Sequence, residues 1–225
     1  MRILVIQHDA DKGLGVFMQP LGTHELDIQF AGHGALELSG HAAVIALPGV
    51  ANPDERTNAV DATRDVLREA LRLELPILGI CLGAELLAEA AGGATGPCRP
   101  EWGYREVSLA AAGRDDELLG HLPARFDVFQ AHEYCFELPP DGVALAHSPD
   151  ALQAFRIGDN AWGIQFHPEP TLAMLDGWTG ALGHRMEANG VDPEVTRRLG
   201  RRYVPEWAEY AAAMGRSFAA ATCAV

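Results

Sequence analysis

The sequence predicts an α/β fold in which helices flank an open, mostly parallel sheet. Residues 76–80 form a short apolar run with the length and composition of a buried parallel strand, and a helix-forming run, residues 84–91, begins after three intervening positions. Residues 57–73 carry the apolar stripe of an amphipathic helix and lead into this strand. A helix, a strand and a second helix in this order, after an apolar strand at residues 42–47, indicate parallel strands joined by right-handed crossovers.

The other elements follow from the period and composition of the chain. Residues 3–7 and 25–30 are two further strand candidates, and residues 15–22 suit a short helix. After Gly92-Gly93 short strand candidates separated by turn residues indicate a strand-rich extension of the same domain, and two helical runs follow. The extension contains candidate strands at residues 104–109, 126–131, 143–147, 152–157 and 162–166, and the helical runs are residues 171–188 and 205–221. No linker or internal repeat interrupts the chain, so we expect a single domain spanning residues 1–225.

Composition argues against several classes of partner. The formal net charge is −14 and the isoelectric point is about 4.9, so a basic surface for nucleic acid or anionic lipid is not expected. No apolar run reaches the roughly 20 residues that span a bilayer, and the chain opens on a strand rather than on a signal peptide. The four cysteines are scattered without a Cys-x-x-Cys pair, which favours reduced thiols and a cytoplasmic protein. The oligomeric state stays open.

Cys81 lies on the sharp turn between the strand at residues 76–80 and the helix that follows. Gly79 and Gly83 flank it at positions where a side chain would collide as the backbone reverses, which is the nucleophile-elbow pattern Gly-x-Ser-x-Gly with a thiol in place of the hydroxyl. Because helix N-termini favour negative charge, we expect a lowered thiol pKa. The backbone N–H of Leu82 is then placed to stabilise an oxyanion. The alternative is a small buried hydrophobic residue after a core strand.

A second oxyanion donor is expected after the strand at residues 42–47. The sequence there continues Pro48-Gly49-Val50, and a glycine just beyond a central strand lets the backbone approach a ligand closely. The N–H of Gly49 or of Val50 is therefore the candidate. The alternative is an ordinary Pro-Gly turn.

A second chemical group follows the strand at residues 162–166. His167 emerges at the end of this strand, and Glu169, two residues on, returns to the same side in extended geometry. A carboxylate beside an imidazole fixes its tautomer and stabilises the imidazolium that forms when the histidine accepts a thiol proton. The pair therefore predicts a general base for Cys81, with a capped strand end as the alternative.

Together these motifs resemble those of the class I (triad) glutamine amidotransferases, over nearly the whole chain. The segments that carry the resemblance, most of all to stand-alone members similar to the glutaminase domain of GMP synthase, are Gly79-Ile-Cys-Leu-Gly83, Gln165-Phe-His-Pro-Glu169, Glu101-Trp-Gly-Tyr104, Val128-Phe-Gln-Ala-His132 and Gln153-Ala-Phe-Arg156. The resemblance implies a flavodoxin-like fold, Cys81 as nucleophile, His167 as base and Glu169 as the residue that orients it. It also implies a γ-glutamyl thioester intermediate and an oxyanion hole formed by Leu82 with Gly49 or Val50.

The sequence departs from the family pattern around the substrate. Pro48-Gly49-Val50 replaces the usual Gly-Gly-Pro, and Glu85 replaces a glutamine that helps to hold the α-amino and α-carboxylate groups of glutamine. A carboxylate at position 85 would attract the ammonium and repel the carboxylate, which favours a γ-glutamyl conjugate over free glutamine. His132, Glu133 and Tyr134 replace a His-Gly-Asp type of loop and are, with Glu85, the candidate substrate-binding residues. For His132 the alternative is a half-exposed loop histidine.

Three functional hypotheses remain. The first is a self-contained hydrolase whose partner is a small γ-glutamyl substrate, and the second is a glutaminase subunit that passes ammonia to a separate synthetase. The third is a silent binding or regulatory module on the same fold. No cofactor is expected, and the nine histidines show no His-x-x-x-His spacing, so no metal is expected either. Cys98, Cys135 and Cys223 lack the setting of Cys81 and are interpreted as packing residues.

Overall fold

The computed structural model describes residues 1–223, which contain one sheet of nine strands. The strands in chain order are β1 (Arg2–Gln7), β2 (Glu25–Phe30), β3 (Ala43–Ala46), β4 (Ile77–Ile80), β5 (Thr95–Leu109), β6 (Arg125–Phe136), β7 (Gly142–His147), β8 (Leu152–Ile157) and β9 (Ala161–Ile164). Their spatial order is β2-β1-β3-β4-β9-β8-β7-β5-β6.

Seven helical segments accompany the sheet in the described part of the chain. They are a short 3₁₀ helix (Gly15–Met18), α1 (Asn58–Arg72), α2 (Leu82–Ala90), α3 (Ala111–Arg114), α4 (Leu172–Ala181), α5 (Gly183–Ala188) and α6 (Pro193–Cys223). The amphipathic helix α1 is capped at its start, because the Thr57 hydroxyl accepts a hydrogen bond from the Val60 N–H at 3.3 Å. Within residues 1–223, no helix combines the length and apolar character that crossing a bilayer requires.

The sheet has a parallel half and an antiparallel half. Strands β2, β1, β3, β4 and β9 pair in parallel, whereas β8, β7, β5 and β6 continue the sheet with antiparallel pairings. The α/β class and the strand-rich extension are thereby confirmed, and the extension joins the same sheet through β9. The sheet is consequently mixed, with its parallel strands grouped at one side.

Helices cover the two faces of the parallel half. Side chains alternate along β1, so that Ile3 and Val5 face one hydrophobic core while Leu4 and Ile6 face the other. The first core is closed by α6 and the 3₁₀ helix, and the second by α1 and α2. Because both faces are buried, these strands are continuously apolar rather than alternating, as the sequence predicted.

Two helix predictions need correction. The helical run at residues 171–188 is divided at Leu182 into α4 and α5, and α6 begins at Pro193, well before residue 205. Pro205 lies inside α6 rather than at its start. A proline lacks the N–H that a helix interior requires, so the sequence pattern favoured a boundary there. Packing of α6 against the first core, through Trp207, Met214 and Phe218, outweighs that local cost.

The interpretation of Cys98 and Cys135 as separate packing residues with reduced thiols is wrong. The two cysteines form a disulfide between β5 and β6, although 37 positions separate them in sequence. Gly96 is the register partner of Cys135, and Cys98, two residues further along β5, reaches Cys135 diagonally where the regular pairing is interrupted between Pro97 and Glu101. Sequence spacing carried no sign of this register. Cys81 and Cys223 are free thiols.

Candidate active site

Strands β4 and β9 bring the two chemical motifs together. They are parallel neighbours in which Ile80 pairs with Ile164, so the residues that follow both strands emerge at the same edge of the sheet. The Cys81 N–H donates a hydrogen bond to the Ile164 carbonyl at 2.8 Å, which extends this pairing into the turn. Cys81 and His167 line the same pocket.

Cys81 occupies a strained turn between β4 and α2. Its φ of 51° and ψ of −111° are unusual for a residue with a side chain, and such strain is typical of a nucleophile elbow. The two flanking glycines allow the reversal. A Cβ on Gly79 would lie 2.5 Å from the Gly83 carbonyl oxygen, and a Cβ on Gly83 would collide with the Ala46 carbonyl oxygen of the neighbouring strand. Only glycine fits either position without moving backbone.

The electrostatic setting of Cys81 differs from the sequence-based expectation. Burial raises the pKa of the Cys81 thiol well above its usual value, and the nearby Glu85 and Glu169 carboxylates raise it further. The Leu82 N–H, which lies at the start of α2, and the Lys12 ammonium act in the opposite direction but do not prevail. The predicted lowering of this pKa is therefore wrong. A raised pKa disfavours the thiolate, so reaction of this sulfur as a nucleophile calls for a proton acceptor nearby.

His167 has the geometry of such an acceptor. Its Nδ1 lies 2.8 Å from Oε1 of Glu169, whose side chain is fully buried, so Nδ1 carries the proton and Nε2 the free lone pair. Nε2 is buried and has no hydrogen-bond partner among residues 1–223. The ring is held against Phe129 and Trp178, at centroid distances of 5.8 and 5.3 Å. The imidazole is thus fixed with one nitrogen free for proton transfer.

The candidate oxyanion donors are unequally available. The Val50 N–H already donates to Oδ2 of Asp9 at 2.8 Å, which joins the loop after β3 to the loop after β1. The Gly49 N–H makes no hydrogen bond within residues 1–223, and both residues line the pocket. Together with the Leu82 N–H beside the sulfur, Gly49 is the better placed of the two for an oxyanion.

Glu85 projects from the first turn of α2 into the pocket. Only 3% of its surface is exposed, and its Oε1 accepts a hydrogen bond from Nε2 of Gln165 at 3.0 Å. Burial raises the pKa of the Glu85 carboxyl, while the Gln165 bond and the nearby His132 partly oppose that shift. A buried carboxyl of this kind interacts strongly with any charge placed in the pocket.

The raised pKa of Glu85 should make the stability of the fold depend on pH. The folded chain holds the Glu85 proton more tightly than the unfolded chain, so the free energy of unfolding falls as pH rises from the usual pKa of 4.5 through the folded pKa. We expect Glu85→Gln to remove this loss, because an amide still accepts from Gln165. The free energy of unfolding of the variant should rise relative to that of the wild type progressively as pH increases above 4.5, as followed by urea denaturation. The exposed Glu117→Gln is the matched control, and a pH-independent difference for Glu85→Gln would refute the argument.

The other predicted substrate-binding residues also reach the pocket. Oε2 of Glu133 accepts a hydrogen bond from Nη2 of Arg185 at 2.9 Å, and the Tyr134 hydroxyl donates to Oδ2 of Asp54 at 3.1 Å. Arg185 in turn lies over the Trp102 ring, 5.3 Å from its centroid. The pocket is therefore lined by both a negatively charged and a positively charged side chain, those of Glu133 and Arg185, in addition to Glu85.

Comparison with known protein families identifies the chain. The sequence profile of the family described as glutamine amidotransferase class-I matches residues 21–177, which is most of the sequence. The chain belongs to this family. The matched range contains Cys81, His167 and Glu169, so the strand-turn-helix and strand-end motifs lie inside the region that defines class I amidotransferases.

Curated relatives of this amidotransferase include synthases that hydrolyse glutamine. A glutamine-hydrolysing GMP synthase of Thermomicrobium roseum is 43% identical over 97 residues, which are 42% of this chain and 18% of that protein. One subunit of the glutamine-hydrolysing GMP synthase of Halobacterium salinarum is 34% identical over 105 residues, which are 45% of this chain and 57% of that subunit. The chain therefore matches only part of each relative.

Solved structures match the amidotransferase over nearly its whole length. A glutamine amidotransferase from Thermotoga maritima superposes with a TM-score of 0.85 at 24% identity, covering 95% of this chain and 96% of that one. A glutamine amidotransferase from Methylobacillus flagellatus gives a TM-score of 0.88 at 21% identity, with coverages of 98% and 94%. These likenesses establish the fold.

Three segments that carried the sequence resemblance meet behind the pocket of the amidotransferase. Oε2 of Glu101 lies 3.3 Å from Nε2 of His132 and accepts hydrogen bonds from Gln153 and Ser148 at 2.7 and 3.0 Å. Gln130 donates to Gln153 at 2.7 Å. All five residues are buried, so His132 is part of a fixed polar network and not a loose loop histidine.

Sequence reasoning missed several residues that line the pocket or support it. They are Asp9, Lys12, Glu101, Trp102, Trp178 and Arg185. Asp9 and Lys12 lie in the loop at the carboxyl end of β1. Ligands of open α/β sheets bind at that end of the strands, and this general rule could have identified the two residues as site candidates. Trp178 and Arg185 lie on α4 and α5, and no local motif marked either one.

Proposed function

We propose that the chain hydrolyses γ-glutamyl amides, with Cys81 as nucleophile, His167 as general base and Glu169 as the residue that orients the base. One observation carries the proposal. A thiol on a strained strand-to-helix turn and a carboxylate-bound imidazole with a free Nε2 face one pocket at the edge of two adjacent parallel strands. These are the parts that acyl transfer through a thioester requires.

Acylation begins with proton transfer from the Cys81 thiol to Nε2 of His167. The sulfur attacks the γ-carbonyl carbon of the substrate, and the carbonyl π electrons move onto oxygen. The resulting oxyanion accepts hydrogen bonds from the Leu82 and Gly49 N–H groups. As the tetrahedral intermediate collapses, Nε2 gives its proton to the departing nitrogen. Ammonia or an amine leaves, and the γ-glutamyl group stays on sulfur as a thioester.

Deacylation repeats the same proton transfers with water. His167 takes a proton from water as the oxygen attacks the thioester carbon, and it returns that proton to the departing Cys81 sulfur. Glutamate is released and the neutral thiol is restored. Because the resting thiol pKa is raised, the His167–Glu169 pair is essential for both halves of the cycle rather than an aid to a preformed thiolate.

The choice of substrate rests on Glu85. Its buried carboxyl stands where the family pattern has a glutamine, and a conjugate whose amine portion carries an additional ammonium suits a negative charge there better than free glutamine does. A second candidate function is supported by the relatives that are single subunits of a glutamine-hydrolysing GMP synthase. In that case the chain would act as the glutaminase of a complex, and the ammonia would pass to a separate synthetase.

Substrate preference is tested with glutamine and a γ-glutamyl dipeptide. We expect the wild type to release glutamate from at least one of them, and Glu85→Gln to shift the ratio of kcat/KM toward free glutamine by about tenfold, which corresponds to about 1.4 kcal/mol of transition-state binding. The measurement is glutamate release from the purified chain, with the exposed Glu117→Gln as the matched control.

The outcomes separate the candidate functions. An unchanged preference in Glu85→Gln would contradict the assignment of that residue but not the hydrolysis. No glutamate release and no γ-glutamyl adduct on Cys81 with either compound would contradict self-contained hydrolysis and favour the glutaminase that needs its synthetase partner.

A further inference from the structure

We propose that Cys98 and Cys135, when reduced, bind a Zn²⁺ ion together with Nδ1 of His132. The three residues lie side by side at the β5–β6 pair, and their ligand atoms all fall within 4.8 Å of one another. This inference does not depend on the proposed hydrolysis, and it runs against the sequence-based expectation that the chain holds no metal. That expectation had no access to the pairing of β5 with β6, which places Cys98 beside Cys135 and His132, 37 and 34 positions away in the sequence.

The distances suit a tetrahedral ion. Nδ1 of His132 lies 4.0 Å from Sγ of Cys98 and 3.9 Å from Sγ of Cys135. Zinc bonds of roughly 2.3 Å to sulfur and 2.0 Å to nitrogen place tetrahedral ligand atoms about 3.5 to 3.8 Å apart. The sulfur–nitrogen separations therefore need to change by only a few tenths of an ångström. The larger change is between the two sulfurs, which must part once their bond is broken.

A buried carboxylate already supports the histidine from behind. Oε2 of Glu101 lies 3.3 Å from Nε2 of His132, and the side chains are 4% and 1% exposed respectively. Nε2 makes no hydrogen bond within residues 1–223. A histidine that binds zinc through one ring nitrogen characteristically gives the other N–H to a carboxylate. Glu101 supplies that partner, and it is itself held by Gln153 and Ser148.

Formation of the zinc site requires reduction of the Cys98–Cys135 disulfide. One phosphine and one water molecule convert the disulfide to two thiols: the phosphine supplies two electrons and takes up the water oxygen as its oxide, and the two protons of the water go to the two sulfurs. Zinc binding releases the two thiol protons. In the disulfide form the Nδ1–H of His132 donates a hydrogen bond to the Tyr134 carbonyl at 3.0 Å. On zinc binding this proton moves to Nε2, and the Nε2–H donates a hydrogen bond to Glu101. The metal takes its place on Nδ1, and water completes the fourth position. Disulfide and zinc thus exclude each other.

The donor set selects the ion. Two thiolates and one imidazole bind zinc and disfavour calcium and magnesium, which prefer oxygen ligands. Both cysteines are half-buried, so an ion can reach them, while His132 is only 4% exposed and is fixed by its neighbours. His132 also lines the pocket that contains Cys81, so occupancy of the zinc site would fix a wall of that pocket.

Metal titration of the reduced chain tests the proposal. Cys81→Ala serves as the parent protein, so that the pocket thiol cannot act as a ligand. After anaerobic reduction with a phosphine, we expect one Zn²⁺ per chain with a dissociation constant below about 1 µM, measured by competition with a chromophoric chelator. Co²⁺ should give the sulfur-to-cobalt charge-transfer absorption of thiolate ligation. Cys98→Ser and Cys135→Ser should each weaken zinc binding at least about 100-fold, and Glu101→Gln about 10- to 100-fold.

Two controls test whether the zinc is bound at Cys98 and Cys135. Cys223→Ser removes the other free thiol, whose Sγ lies 3.8 Å from Nε2 of His24, and should leave the affinity and stoichiometry unchanged. The oxidised parent, with the same sequence and an intact Cys98–Cys135 disulfide, should bind no zinc at this affinity. Absence of zinc uptake by the reduced parent, or uptake that survives Cys98→Ser undiminished, would overturn the proposal.

Discussion

Replacing Cys81 with alanine is expected to reduce kcat/KM for glutamate release by at least about 10⁴-fold, since the proposed mechanism has no other nucleophile. The change removes a single sulfur atom from a residue that lines the pocket, so little packing is lost and the fold should remain. Intact-protein mass spectrometry during turnover should show a γ-glutamyl adduct on the wild type and none on the variant.

The matched control is Cys223→Ala, which removes the other free thiol far from the pocket and should leave turnover unchanged. Circular dichroism of Cys81→Ala checks that the fold is intact. Turnover that persists in a folded Cys81→Ala protein would reject the thioester mechanism. Loss of turnover in Cys223→Ala as well would show that the loss in Cys81→Ala is not specific to the pocket thiol.

Replacing Gly83 with alanine is expected to destabilise the fold by about 3 kcal/mol or more. The added Cβ would collide with the carbonyl oxygen of Ala46 in β3, and neither partner can rotate away because both the turn and the strand backbone are fixed. The free energy of unfolding from urea denaturation measures the loss. A chain that still folds should also lose activity, because relief of the collision must shift the turn that holds Cys81.

Gly177→Ala provides the comparison, since it makes the same chemical change in another helix. Gly177 is exposed on α4, and a Cβ there would meet no atom within 4 Å. Alanine has a higher helix propensity than glycine by about 1 kcal/mol, so this variant should be as stable as the wild type or more stable. Equal destabilisation of Gly83→Ala and Gly177→Ala would show that the collision is not the cause.

The elements around the candidate site could be predicted because their signals are local. A short apolar run, two glycines and a following helix former define the turn of Cys81 within a few residues, and the structure has β4 and α2 there. Likewise His167 follows an apolar strand directly. Parallel pairing of β4 with β9 then joins these two local motifs. This is expected in an α/β fold, because the carboxyl ends of neighbouring parallel strands meet at one edge of the sheet, where ligands bind.

Other features depend on distant parts of the chain and left no local pattern. The Cys98–Cys135 bond depends on the pairing of β5 with β6. The raised pKa of the Cys81 thiol depends first on burial by distant parts of the chain and then on carboxylates contributed by α2 and by the segment after β9. Helix-end electrostatics alone predicted the opposite direction for that pKa, because burial could not be measured from the sequence. Arg185 reaches the pocket from α5, which begins after the break at Leu182, and no local pattern marked that break.

The position of β9 has a consequence for the nascent chain. Among the strands of residues 1–223 it comes last in the chain, yet it lies between β4 and β8 near the middle of the sheet. Until residues 161–164 are available to pair, β4 keeps an unpaired edge, and His167, which follows β9, is not yet beside Cys81. The edge of the sheet and the pocket that Cys81 and His167 share are therefore completed by the same late, long-range pairing.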